Sequence, residues 1–276
     1  MEIKTLSPAE IASVWVENGV KKAAIGTLKT IILGMFAGIF IGFGGFAYLT
    51  AMGNIQAAGF NRLLGASVFP VGLMLVIYCG AELFTGNNLL VVALLDKKIT
   101  GTKLLRNWFL VYLGNILGSY LLAWLVYISG IAGTAETPSA VTTVVLSVTA
   151  SKTALSFTAA LVRGILCNIL VVLACWFQAA SKDLVGKIFA VWFPIMLFVF
   201  CGFEHSIANM FFLPLGQLLG APATFGAVWL KNIIPVTFGN IIGGAGIISV
   251  AYYYIYVYKP ADSNLPPHKS ARRKKK

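Results

Sequence analysis

Acidic residues are scarce in this chain. Nine Asp and Glu stand against 21 Lys and Arg, and only 11% of the 276 residues are charged while 58% are hydrophobic. A water-soluble domain of this length needs more polar surface than that, which excludes a soluble enzyme or a soluble binding module. Histidine is rarer still, with only His205 and His268. The four cysteines, Cys79, Cys167, Cys175 and Cys201, all lie inside apolar runs. They are expected as free thiols packed like small apolar side chains, with no disulfide framework, metal site or cofactor.

What the chain has in abundance is long apolar stretches. Windows of about 20 apolar residues, enough to cross roughly 30 Å of hydrocarbon, fall at 28–52, 64–95, 104–132, 154–180, 186–213 and 233–258. The second and fifth are over-long and interrupted by glycine. The expected fold is therefore an all-α membrane protein with six transmembrane helices.

Seventeen of the 21 Lys and Arg fall on one side of these spans, and positive residues accumulate in cytoplasmic segments. Both termini are thus expected in the cytoplasm, with the chain multi-pass in the cell's inner (plasma) membrane. Arg62, Lys152 and Lys231 fall in opposite-side segments and Arg163 lies within the fourth span. Three regions follow. Residues 1–27 form an N-terminal segment whose Ser7 and Glu10 read as a capping box opening an amphipathic interfacial helix. Residues 28–258 form the transmembrane domain, and 259–276 a basic, disordered tail suited to anionic lipid headgroups. Topology accounts for the net charge of +12, so no nucleic-acid partner is expected.

The second and fifth spans carry the same interruption. Cys79-Gly80-Ala81-Glu82 is followed by Asn87, and Cys201-Gly202-Phe203-Glu204 by Asn209. A glycine beside a carboxylate at membrane depth frees backbone groups that lipid cannot satisfy, so such breaks line a cavity or sit inside protein. Further matches join Asn107 through Gly118 to Asn232 through Gly243 and, more weakly, Gly38-Ile39 to Gly164-Ile165. Each half then holds three spans, and an odd number inverts the second half. Inverted 3+3 repeats bring two broken helices face to face near the bilayer midplane, an architecture of transport.

At the second break His205 follows Glu204, and an imidazole titrates near neutral pH, so it suits proton exchange with a weak acid in transit. Thr85 holds nearly the equivalent place in the first half. Phe69, Leu73, Leu83, Phe84, Val171 and Phe198 are candidates for narrow apolar collars that oppose hydrated ions. Glu82 and Glu204, with Gly80 and Gly202, read as structural, their carboxylates accepting hydrogen bonds from backbone N–H groups freed at the breaks. Lys152 suits drawing anions into an outer vestibule. Arg163 suits a protomer-interface pair or the pore wall, with the interface pair favoured.

The runs Gly80 through Asn87, Asn107 through Asn115, Gly202 through Met210 and Pro235 through Asn240 resemble the formate/nitrite transporter family over about residues 8–258. The resemblance implies an aquaporin-like protomer, a homopentamer, and passage of small monovalent weak-acid anions such as formate, nitrite or hydrosulfide. It places Thr85 and His205 at the centre, with Asn168 and Lys152 in the associated polar network. It also implies an outer constriction of Phe69 and Phe198, an inner one of Leu73, Leu83 and Val171, and a mobile, gate-like segment at Phe69-Pro70-Val71-Gly72-Leu73.

Two other readings compete. One is a channel for water, glycerol or ammonia, although no Asn-Pro-Ala motif occurs. The other is a membrane enzyme using His205 with Glu204, which point about 100° apart if helical.

Overall fold

The computed structural model describes residues 5–55, 57 and 59–259. The basic tail beyond Lys259 and its His268 lie outside the described residues. Six helices are long and apolar enough to cross a membrane, Thr27–Asn54, Phe60–Tyr78, Gly101–Ile128, Phe157–Ala180, Leu184–Cys201 and Ala227–Tyr256. No strand occurs among the described residues.

In chain order the elements are α1 (Pro8–Ala23), α2 (Thr27–Asn54), α3 (Phe60–Val68), α4 (Val71–Tyr78), a 3₁₀ turn at Gly86–Leu89, α5 (Leu90–Leu95), α6 (Gly101–Ile128), α7 (Ala140–Thr153), α8 (Phe157–Ala180), α9 (Leu184–Cys201), α10 (Ser206–Leu218), α11 (Ile234–Ile241) and α12 (Val250–Tyr256). The last two belong to one rod, Ala227–Tyr256, whose remaining stretches are π-helical.

Side-chain caps start six of these twelve helices. Ser7 and Glu10 close the expected capping box at α1, Thr100 accepts from the Lys103 N–H at α6, and Ser156 from Ala159 at α8. Each satisfies a donor that the first helical turn leaves without a partner. At α9, outside the apolar span, Asp183 Oδ1 accepts from the Gly186 N–H at 2.7 Å. That bond, with the Ser181 hydroxyl, holds the Asp183 carboxyl below its usual range.

Helix α7 has no counterpart among the expected spans. Its Ser139/Thr142 capping box is in the sequence, but fourteen residues rich in Val, Thr and Ser are too short to span and poor in helix formers. Its partner in the repeat is α1. Each half therefore runs from a short helix through a full span, a broken span and another full span. The glycine match at 38 and 164 is off by one helical turn. Gly34 is the counterpart of Gly164, because Asn115 Nδ2 donates to the Gly34 carbonyl at 2.8 Å and Asn240 Nδ2 to the Gly164 carbonyl at 2.8 Å.

The two halves are held by helix pairs that approach through glycine. A Cβ on Gly34 would lie 2.9 Å from the Val111 carbonyl oxygen and one on Gly164 2.7 Å from that of Val236, so α2 meets α6 as α8 meets α11. In a bilayer, where helix association depends on van der Waals packing and interhelical hydrogen bonds, such small-residue seams carry the assembly.

Candidate functional site

Both breaks end in the same way. Gly80 and Gly202 take positive φ, +76° and +73°, a conformation costly for any residue with a Cβ. The Ala81 N–H then reaches back to the Val76 carbonyl (2.9 Å) and the Phe203 N–H to that of Phe198 (3.0 Å), closing the preceding helix. Beyond each glycine the chain is non-helical until Gly86 or Ser206 restarts it.

An asparagine from the following full span satisfies the freed backbone. Asn115 Nδ2 donates to the Glu82 carbonyl (2.9 Å) while its Oδ1 accepts from the Phe84 N–H (3.0 Å). Asn240 does the same for the Glu204 carbonyl (3.0 Å) and the Ser206 N–H (3.0 Å). Glu82 and Glu204 were expected to accept from backbone N–H groups, and their carboxylates instead meet side chains. Glu82 Oε1 accepts from Lys22 Nζ at 2.6 Å and Oε2 from Asn87 at 2.7 Å. Glu204 accepts from Lys152 Nζ at 2.9 Å on both oxygens, and from Asn209 at 2.6 Å. Asn107 and Asn232 complete the clusters, each donating to the backbone carbonyl of its lysine. Each carboxylate is thus charge-matched.

Two cavities open on these clusters. One, of about 300 Å³, is lined by Arg62, Phe69, Lys152, Arg163, Phe198 and His205 among others. The second, of about 490 Å³, is lined by Lys22, Lys29, Leu73, Glu82, Leu83 and others. Between them lies a throat of about 10 Å³, bordered by Ile41, Phe69, Leu73, Leu83, Val171, Ile195, Phe198 and His205. That is room for about one water.

The Phe69 and Phe198 rings meet edge to face, 5.6 Å between centroids, and close the throat toward the α7-side cavity. Leu73 and Leu83 border the throat and the α1-side cavity alike. His205 lies in the throat wall, stacked on Phe198 at 5.9 Å.

The imidazole is pinned at both nitrogens. Nδ1 accepts from the Ala208 N–H (3.1 Å) as the cap of α10, so a neutral ring carries its proton on Nε2 and donates it to Thr85 Oγ1 (2.9 Å). Protonating Nδ1 sacrifices that cap. Asn168 stands behind the pair, donating to the carbonyls of Thr85 (3.3 Å) and Asn240 (2.7 Å). Thr85 and His205 open the two restarted half-helices, whose N-terminal ends carry positive partial charge. These ends offset part of the cost of bringing an anion toward the throat without placing a free cation in it.

Several expected residues sit elsewhere. Phe84 does not border the throat; its ring packs on Trp108 (5.8 Å) and Tyr112 (4.9 Å). Lys152 is no lone attractor, being paired with Glu204 and 15% exposed. Arg163 lines the α7-side cavity and has no carboxylate partner among the described residues. The expected gate at Phe69–Leu73 is nearly continuous helix, because the Gly72 N–H bonds to the Phe69 carbonyl (3.1 Å) and Met74 to Pro70 (3.1 Å). Ile41, Ile195 and Lys22 were missed. The isoleucines carry no signal within apolar runs. Lys22 had one, lying 12 residues before Gly34 as Lys152 lies before Gly164.

The formate/nitrite transporter family model matches residues 9–254. This chain belongs to that family. It is 39% identical over 253 residues to a probable formate transporter of Methanothermobacter thermautotrophicus, covering 86% of this chain and 91% of that one. It is 38% identical over 272 residues to the formate channel FocA of Escherichia coli K12, covering 91% and 95%. A solved pentameric formate channel with formate bound superposes with a TM-score of 0.73 at 30% identity, covering 84% of this chain and 98% of that chain. With six apolar spans, the family member is a multi-pass membrane protein.

Proposed function

We propose that this protein is a homopentameric channel or proton-linked transporter for small monovalent weak-acid anions, formate, nitrite or hydrosulfide, with one pathway in each protomer. The observation that carries the reading is His205, held by Thr85 and bordering a throat of about 10 Å³ between two cation-bearing cavities. The α7-side cavity is the outer vestibule and the α1-side cavity the cytoplasmic one, with both termini in the cytoplasm of a cell whose inner membrane holds the protein. The formate channels among its relatives support the substrate class, and the pentameric one supports the assembly.

The route follows from solvation. A throat with room for one water strips an anion of its hydration shell, and an isolated carboxylate in an apolar surround is penalised far more than its neutral acid. Cationic vestibules concentrate the anion. A proton taken up from the entry vestibule neutralises the anion beside His205, so the solute crosses the collars uncharged and the proton is released in the opposite vestibule. Thr85, buried behind the ring, accepts a hydrogen bond from the imidazole Nε2–H and fixes the orientation in which His205 meets the throat.

A channel for neutral solutes needs neither cationic vestibules nor a titratable ring at the throat. Purified protein in sealed liposomes is expected to pass at least one of formate, nitrite and hydrosulfide, faster as pH falls and protons become available for exchange at His205. Glycerol permeability should stay at the protein-free level. Glycerol passage with none of the three anions moving would overturn the reading.

A further inference from the structure

We propose that Arg62 and Arg163 form a capture site for a small planar oxyanion, a carboxylate or nitrite, at the mouth of the α7-side vestibule. The inference rests on the anion-pathway reading and narrows its substrate class, setting carboxylates and nitrite ahead of hydrosulfide.

Three observations lead there. First, the lysine of this vestibule is already matched. Lys152 Nζ lies 2.9 Å from both Glu204 oxygens, so the pair has no net charge to offer. Second, two guanidinium groups remain. Arg62 and Arg163 line the same cavity of about 300 Å³, and neither forms a salt bridge among the described residues. Arg62 lies over the Phe200 ring at 5.8 Å, which favours one orientation of its fork without using its hydrogen-bond donors.

Third, the repeat does not require Arg163. Its carbonyl accepts from the Glu204 N–H at 3.2 Å, as the Leu33 carbonyl accepts from Glu82 at 3.2 Å in the other half. The same backbone role is filled by leucine there, and that vestibule holds Lys29 besides its Lys22–Glu82 pair. The backbone role at this position therefore does not call for an arginine side chain.

Chemistry sets the ligand. A guanidinium presents parallel N–H groups that match the two oxygens of a carboxylate or nitrite, whereas an ammonium acts as a point charge. Hydrosulfide offers a single acceptor atom and gains no fork. Formate or nitrite held here waits beyond the Phe69–Phe198 pair, one step from the throat.

The test is formate binding to the full-length detergent-purified protein at low ionic strength, read by ligand-observed NMR, with nitrite, hydrosulfide and chloride as competitors. Arg163→Leu places at this position the residue the other half carries, and elution as the wild-type oligomer checks its assembly. Wild type is expected to prefer formate and nitrite at least ~10-fold over chloride and hydrosulfide. Arg163→Leu and Arg62→Gln should each weaken formate about 10-fold, a change of about 1.4 kcal/mol, with chloride unchanged. Arg163→Lys should recover less than half of the loss.

Formate binding that Arg163→Leu leaves intact overturns the inference, as does a wild type without preference for formate over chloride. An Arg163→Lys variant equal to wild type overturns the oxyanion fork. Liposome flux from the same preparation judges the pathway reading separately. Selective binding without flux contradicts that reading and leaves the site standing, and flux with binding insensitive to Arg163 does the reverse.

Discussion

Glu204→Gln is expected to destabilise the protein by about 3–5 kcal/mol, the cost of leaving one member of a buried ion pair without its partner. Lys152 and Glu204 are 15% and 5% exposed, and no other carboxylate lies within salt-bridge distance of Lys152 among the described residues. The amide also turns an acceptor toward a donor problem, because Asn209 and Asn232 both point Nδ2 at Glu204 Oε2, at 2.6 and 3.3 Å. Thermal unfolding in detergent measures the loss. The double variant Lys152→Met with Glu204→Gln should recover at least half of it, since the stranded charge is gone. Glu82→Gln should cost less, because Lys22 is 24% exposed and retains more water. Equal stability of wild type and Glu204→Gln would remove the charge-matched cluster from this account.

Phe198→Ala should change selectivity more than any other single substitution in the throat. Its ring touches both Phe69 and His205, so truncation joins the throat of about 10 Å³ to the neighbouring cavity of about 300 Å³. Acetate and lactate flux relative to formate is expected to rise at least tenfold, and chloride current to appear in planar bilayers, because only the Leu73–Leu83 collar then remains to strip an ion of its water. Stability should fall by about 3 kcal/mol, the low end for Phe→Ala, since water from the cavity can fill the gap. A chloride-tight variant with unchanged size selectivity would place the barrier elsewhere.

Much of this was legible in the residues because it is local. The spans show as apolar runs, and the breaks show as Gly beside Glu twice in matching contexts. The Gly202 through Met210 run is the most specific of the four that carry the family resemblance. What stayed hidden depends on contacts between distant segments. Nothing in the sequence near Lys22 announces Glu82, 60 positions away, until the repeat is extended through α1 and α7. Phe84 reads like Phe69 and Phe198 in composition, yet it sits one position before Thr85 and turns outward to α6. Pro70 and Gly72 suggest an irregular segment, and neighbouring backbone bonds keep it nearly helical, with proline accepted at the N-cap of α4, where no intrahelical N–H bond is needed. Ile41 and Ile195 are indistinguishable from lipid-facing isoleucines until the helices pack.

His205 is the one polar side chain bordering a throat otherwise walled by apolar side chains, and the buried Thr85 is its hydrogen-bond partner behind that wall. The most direct test compares anion flux into liposomes across a range of pH for wild type and His205→Ala, with thermal unfolding confirming that both are folded. Wild-type flux should be saturable and rise as pH falls, and the variant should lose that pH dependence. A folded His205→Ala protein with wild-type rate and wild-type pH profile would contradict proton exchange at this ring.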